Sequence, residues 1–201
     1  MDALVFATQN PGKVKEMRRI LADLNIVIKS ADEAGFTQEI EETGETFEEN
    51  ALLKARIVVH KLNIWTVADD TGLCVEALEG KPGVHSSRWA GNNTSDREKV
   101  DFLLKKMISL PYDNRNAYFE TVVALVSPKC KVTIFKGRIY GTIPFAPQGT
   151  NRLRLPYDTI FIPDGYSKTF AEMTDDKKNS ISHRGKAFSE LKKYLQKLNG
   201  K

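Results

Sequence analysis

Two adjacent carboxylates, Asp69 and Asp70, follow the β-branched and aromatic run Ile64-Trp65-Thr66-Val67 and precede Thr71-Gly72. Side chains of a strand alternate between its faces. The two acids therefore diverge, one holding the backbone and the other meeting a ligand. In open α/β sheets ligands bind beyond the carboxyl ends of strands. Acids at a strand end suit Mg²⁺, which takes carboxylate oxygens and substrate phosphates. They equally suit a plain strand with Asp69 capping a helix. Gly72 is expected to turn the chain there, since glycine takes φ > 0 freely.

A second polar cluster is Thr8-Gln9-Asn10-Pro11-Gly12-Lys13, between the apolar run Ala3–Ala7 and a helical pattern at Val14, Met17, Ile20, Leu21 and Leu24. A helix N-terminus offers free amides and a positive dipole end to an anion. The hydroxyl, amide and ammonium of Thr8, Asn10 and Lys13 join them. This is no Walker loop, which needs more glycines and a Gly-Lys-Ser/Thr ending. A third cluster is the acidic loop 37–45, with Glu39, Glu41 and Glu42, read as a wet loop or a source of metal ligands. Asn50 and Lys54, four apart, share a helix face, and Lys54 could reach the pocket of Asp70. The last is the basic run Lys177 to Arg184, which contains Lys178 and His183. No Cys–His or Ser–His arrangement is visible, so covalent catalysis is disfavoured.

These residues need elements to hold them. Ala3–Ala7 reads as a strand and Asn25–Lys29 as a second. Thr46-Phe47-Glu48-Glu49 is a capping box that opens a helix to about Leu62. Ser95-Asp96-Arg97-Glu98 is another, for a helix ending near Pro111. Tyr118–Val126 and Val132–Gly141 read as a hairpin joined through Ser127-Pro128-Lys129, and Arg184–Leu198 as a closing helix.

The 201 residues, 41% hydrophobic and 28% charged, fit one soluble globular domain without a linker. No apolar run approaches the roughly 18 residues that span a bilayer, and the start at Asp2 shows no signal-peptide pattern. Cys74 and Cys130 are too few for a disulfide framework and read as partly buried thiols in a reducing cytoplasm. The net charge of +4 is uneven. Residues 1–50 carry five Lys/Arg against eleven Asp/Glu, and residues 151–201 carry eleven against six. Folded face to face, these ends would set an acidic wall against a basic one. The excess is too mild for a dedicated nucleic-acid binder.

Together the motifs resemble one family, the non-canonical purine nucleoside triphosphate pyrophosphatases, which act on inosine, deoxyinosine and xanthosine triphosphates. The matching pieces are Thr8-x-Asn10-x-x-Lys13, Glu41-Glu42-Thr43-Gly44 with Thr46-Phe47-x-Glu49-Asn50-Ala51-x-x-Lys54-Ala55, Ala68 to Leu73, and Gly80-x-Pro82-Gly83 through Ser86-x-Arg88. Tyr157-Asp158, Phe161-Ile162-Pro163, Lys168-Thr169, Ala171-Glu172 and Ser182-His183-Arg184 follow in order. The resemblance implies an α/β fold, an elongated mixed central sheet with helices on both faces and two lobes around a cleft. It also implies a homodimer and Mg²⁺ dependence, while the mild charge excess and the lack of a long apolar run lead to the expectation of no nucleic-acid or membrane partner. It casts Thr8, Gln9, Asn10, Pro11, Gly12 and Lys13 as the phosphate site. Glu41 or Glu42 joins Asp70 as metal ligand, and Asp70 doubles as the base that activates water. Thr71 contacts substrate, Lys54 and Lys178 neutralise phosphate, and His183 and Arg184 meet the purine edge. Asp158 helps recognise the nucleotide.

One segment departs from the family's Gly-Phe-Gly-Tyr-Asp-Pro. Here it reads Arg154-Leu155-Pro156-Tyr157-Asp158-Thr159. Leu155 replaces the aromatic that stacks on the base, and both flanking glycines are gone. Pro156 restricts Leu155, and Arg154 enters glycine-only conformations at a cost. Three outcomes follow: Tyr157 stacks instead, the base preference shifts (towards modified pyrimidines, for example), or activity is weak. A non-catalytic nucleotide- or RNA-binding module is the rival reading.

Overall fold

The structure, a computed structural model, describes residues 3–200. Asp2, on which the reading of no signal-peptide pattern falls, lies outside them. Eleven main elements follow in order: β1 (Ala3–Phe6), α1 (Pro11–Ile20), β2 (Val27–Ser30), α2 (Phe47–Leu62), β3 (Thr66–Val75), α3 (Asp96–Lys106), β4 (Asn116–Val126), β5 (Val132–Thr142), β6 (Ile162–Pro163), α4 (Asp175–Ile181) and α5 (His183–Asn199). The capping boxes form as read. Thr46 and Glu49 start α2, and Ser95 and Glu98 start α3.

One six-stranded sheet runs β2-β1-β3-β4-β5-β6. β1 is parallel to β2 and to β3, and the other pairs are antiparallel. The alternation of β3 sorts its residues between two helical layers. Val67 faces a core of Leu4, Phe6, Met17 and Leu21 with Phe188 and Leu191 of α5. Ala68 faces the opposite core, built on Ala51, Ala55 and Val58 of α2. Further along, Leu73 and Val75 enter a third core with Phe119, Phe161, Phe170 and Leu103 of α3. The long middle strands thus serve two lobes. At about 3.3 Å per residue, the 11-residue β4 is roughly 35 Å long. Asp69 and Asp70 sit where β3 passes from the first two cores to the third.

The C-terminus of α3 is tied to the end of β5 by a buried arginine. Arg115 donates to the carbonyls of Met107 (2.8 Å), Ile143 (2.8 Å) and Pro144 (3.1 Å). Cation donors suit the carbonyl end of a helix.

Three readings need correction. β3 does not end at the acidic pair but continues to Val75, paired with β4 throughout. Gly72 therefore makes no turn. Its hydrogen is needed because the Gly83 carbonyl oxygen lies 2.2 Å from where a Cβ would stand. The basic run Lys177 to Arg184 is not one segment: Lys177–Ile181 belongs to α4, capped by Thr174, and Ser182 then caps α5, which starts at His183. Of the two thiols, Cys74 is buried and Cys130 exposed.

Candidate active site

Because β3 alternates, its two acids serve different layers. Asp69 points to the α1 and α5 side and is fully buried. It takes the Lys13 ammonium at 3.0 Å and the Thr71 hydroxyl at 2.7 Å, with Arg184 Nε at 3.6 Å. Burial alone would raise its pKa, but Lys13 and Arg184 outweigh that and hold it at about 2. Asp69 is a permanently charged anchor for two cations.

Asp70 points to the α2 side. Its Oδ2 accepts from Asn50 Nδ2 at 3.0 Å and its Oδ1 from the Thr71 N–H at 2.8 Å. Lys54 Nζ lies 4.0 Å from Asp70 Oδ1 and also bonds Glu42. Burial, and then the charge of Glu42, push the Asp70 carboxyl up against the pull of Lys54. Glu42 is further held by Arg88, whose Nη2 donates to the Glu42 carbonyl at 3.1 Å. Glu41 is exposed on the same cleft wall. Two carboxylates from distant segments thus share one cation, the Lys54 ammonium. Among the described residues no group of three or more His, Cys, Asp or Glu side chains gathers as a metal site. A pair of carboxylates completed by phosphate oxygens and water is how Mg²⁺ is commonly held. The donors fit that ion.

The α1 turn differs from expectation in how it can bind an anion. Asn10 Oδ1 accepts from the Gly12 N–H (3.0 Å) and the Lys13 N–H (3.3 Å), Val14 donates to the Asn10 carbonyl, and Pro11 has no N–H. No amide of the first turn is left free. The turn offers side chains instead: Thr8, Gln9, Asn10 and Lys13 line the cleft.

On the α5 side of the cleft stands His183, 1% exposed and stacked on Phe119 at 4.5 Å with 12° between the planes. Among the described residues neither ring nitrogen has a partner. Burial first, then the charges of Arg184, Lys178 and Lys13, hold its pKa well below the usual value. The ring is neutral, with one donor and one acceptor unmet. Buried polar atoms without partners are rare and costly, and the residue that carries these lines the cleft. Arg184 beside it is pinned by Glu16.

Lys178 does not reach the cleft. Its ammonium is buried between Glu16, at 2.6 Å, and Asp158. Glu16, on α1, stays ionised despite its burial because Arg184 and Lys178 both face it. Its part was missed from sequence, although it lies three residues from Lys13 and hence on the same helix face. Asp158 lines the cleft with one edge. Tyr157 is not free to stack. Its hydroxyl donates to the Ser86 carbonyl at 3.1 Å and its ring belongs to the third core. Leu155 Cγ lies 3.1 Å from a Cβ built on Gly12, and the Leu153 carbonyl lies 2.3 Å from it. Gly12 thus lets the 152–155 loop close over the start of α1. Leu155 and Pro156 line the cleft there, as does Thr71 below.

The cleft between the walls has a volume of about 1090 Å³. That is at the upper end of small-molecule sites. Acids sharing a cation, a polar turn with a lysine, and a dry imidazole stacked on an aromatic define an α/β protein built to hold a polyanion at one end and a flat polar ring at the other. The chain belongs to the Ham1 family, whose model matches residues 4–194. A dITP/XTP pyrophosphatase of Streptomyces coelicolor is 41% identical, with both chains covered in full. A HAM1 protein from Coxiella burnetii is 38% identical and superposes with a TM-score of 0.87 over 98% of this chain and 100% of that one. The Staphylococcus aureus Ham1 protein gives 0.85 at 36% identity over the same shares.

Proposed function

We propose that this chain hydrolyses non-canonical purine nucleoside triphosphates, dITP, ITP and XTP, to the monophosphate and pyrophosphate. The reading is supported by the full-length likeness to dITP/XTP pyrophosphatases. The observation that carries it is the Glu42–Lys54–Asp70 arrangement facing an unpartnered His183 across one cleft.

Phosphoryl transfer asks for alignment and charge neutralisation more than for covalent help. Lys13 and Lys54 are poised for the triphosphate, with Thr8 and Asn10 as neutral partners. Glu42 and Asp70 would hold Mg²⁺, with Glu41 at the rim, and the ion would supply positive charge against the phosphate oxygens. Asp70 takes the proton of the attacking water on a lone pair not used by Asn50 or Thr71. The water oxygen bonds to the α-phosphorus, and pyrophosphate leaves with the electron pair of the broken bond. Lys178 acts at a distance, by fixing Glu16 and Asp158.

Base choice falls to His183 and Arg184. An N–H aimed at position 6 is satisfied by the oxygen of hypoxanthine or xanthine. It would face another donor in adenine, and such a mismatch penalises the wrong substrate strongly. The protein works as a cytoplasmic homodimer in this reading.

The test is pyrophosphate release from a panel of purine and pyrimidine triphosphates, with Mg²⁺ and with chelator. Wild type should process ITP and XTP well above ATP and lose activity on chelation. Asp70→Asn should lose at least a hundredfold in kcat. Equal rates for the two proteins would remove Asp70 from the chemistry, and binding without turnover would favour a non-catalytic module.

A further inference from the structure

Six cations line the cleft: Lys13, Lys54, Arg88, Lys99, Arg154 and Arg184. Five already face a carboxylate within 4 Å: Lys13 faces Asp69, Lys54 and Arg88 face Glu42, Lys99 faces Asp96, and Arg184 faces Glu16. Arg154 has no such partner among the described residues, and its side chain makes no hydrogen bond there. It is exposed at the mouth.

Its backbone adds a second observation. Arg154 has φ +52, in the left-handed region where a side chain is disfavoured. Such strain costs of order 1–3 kcal/mol and gathers at ligand-binding positions. The loop is also anchored where a polyanion would lie. Asn10 Nδ2 donates to the Arg154 carbonyl at 3.1 Å, and the Leu153 carbonyl crowds Gly12. The uncommitted guanidinium is therefore rooted beside the α1 turn that carries Lys13, itself paired with Asp69.

We infer that Arg154 is a phosphate-binding residue of the cleft, and that its guanidinium clamps the phosphates that leave as pyrophosphate. This rests on the proposed triphosphate chemistry. A guanidinium matches two phosphate oxygens at once, and an unpaired one need break no ion pair to do so. The clamp closes from the exposed 152–155 loop.

The experiment compares wild type, Arg154→Ala and Arg154→Lys in two readouts. The first is inorganic pyrophosphate binding to the Mg²⁺-loaded protein, by calorimetry at two salt concentrations. The second is KM and kcat for ITP. Arg154→Ala should weaken pyrophosphate binding and raise KM about tenfold each, flatten the salt dependence, and leave kcat within threefold. Arg154→Lys should recover most of the affinity. Unchanged pyrophosphate affinity in Arg154→Ala would overturn the inference. If KM alone rose, the guanidinium would be acting on the base. Absence of ITP turnover in wild type would sink the proposed function and leave the pyrophosphate arm to judge Arg154.

Discussion

A single amide joins Asp70 to the acidic loop: Asn50 donates from Nδ2 to Asp70 Oδ2 at 3.0 Å and accepts the Gly44 N–H on Oδ1 at 2.8 Å. Asn50 is fully buried, and Gly44 is two residues from Glu42. The spacing of the two carboxylates therefore depends on this side chain. Asn50→Ala strands one Asp70 oxygen and loosens the loop. Outer partners of metal ligands typically cost 10–100-fold in affinity or activity, and an orphaned buried group costs about 1–3 kcal/mol. The expected result is a kcat drop in that range together with a higher Mg²⁺ requirement. A variant with wild-type Mg²⁺ dependence would show that the amide does not position the pair.

His183 contributes to the acid sensitivity of the fold between pH 7 and 5. Its folded pKa lies well below 6.5, because of burial first and the nearby cations Arg184, Lys178, Lys13 and Lys186 second. Glu16 and Asp158 face the same cations and soften but do not reverse the effect. Below about pH 6.5 the unfolded chain binds a proton that the folded protein refuses. Stability present at pH 7 is thus lost as the pH falls, by up to about 1.4 kcal/mol per pH unit for this one group. His183→Phe keeps the stack on Phe119 and discards two unmet nitrogens. Urea unfolding between pH 7 and 5 should show the wild-type slope reduced by about one proton in the variant, with equal or higher stability at pH 7. Turnover of ITP should fall at least tenfold. A variant with the wild-type pH slope would place the proton uptake elsewhere.

Much of this could be read from the chain, and the rest could not for definite reasons. The capping boxes at Thr46 and Ser95 and the strand at β4 are local signals, and they placed α2, the start of α3 and the hairpin correctly, while α3 ends at Lys106 and not near Pro111. The divergence of Asp69 and Asp70 follows from alternation alone, and the structure sends them to different layers. Gly72 was misjudged because a turn glycine and a close-approach glycine look alike until the neighbouring carbonyl of Gly83 is known. Lys178 was assigned to the cleft by the family resemblance, but its two carboxylates come from residues 16 and 158, and no local pattern reports such a convergence. The amides of α1 looked free because a cap by Asn10 and an open anion site share one sequence.

Gly72 carries its own prediction. A Cβ there would lie 2.2 Å from the Gly83 carbonyl oxygen and 2.7 Å from Phe47 Cε1. Ser86 braces the same junction, accepting the Leu73 N–H at 3.0 Å and donating to the Gly83 carbonyl at 2.6 Å. Gly72→Ala must push the 83–86 turn off β3, two residues from Asp70. Overpacking of this kind costs about 1–3 kcal/mol. A lower denaturation midpoint is expected, with reduced kcat. An unchanged midpoint would mean that the turn moves freely and does not brace the site.

Arg154 allows stability and binding to be set against each other. At φ +52 a residue with a Cβ is held at a cost that glycine does not incur. Glycine gives part of this back through its freer unfolded chain. Arg154→Gly should therefore be more stable by about 0.5–1 kcal/mol, a value accessible from paired urea curves. Removing a surface arginine elsewhere would scarcely move stability, so a gain locates the strain at this residue. The same variant lacks the guanidinium and should bind inorganic pyrophosphate more weakly. Opposite signs in the two measurements would mark a position where folding free energy is given up for contact with substrate. A stability loss in Arg154→Gly would show that the loop gains more from the arginine side chain than it loses in its backbone.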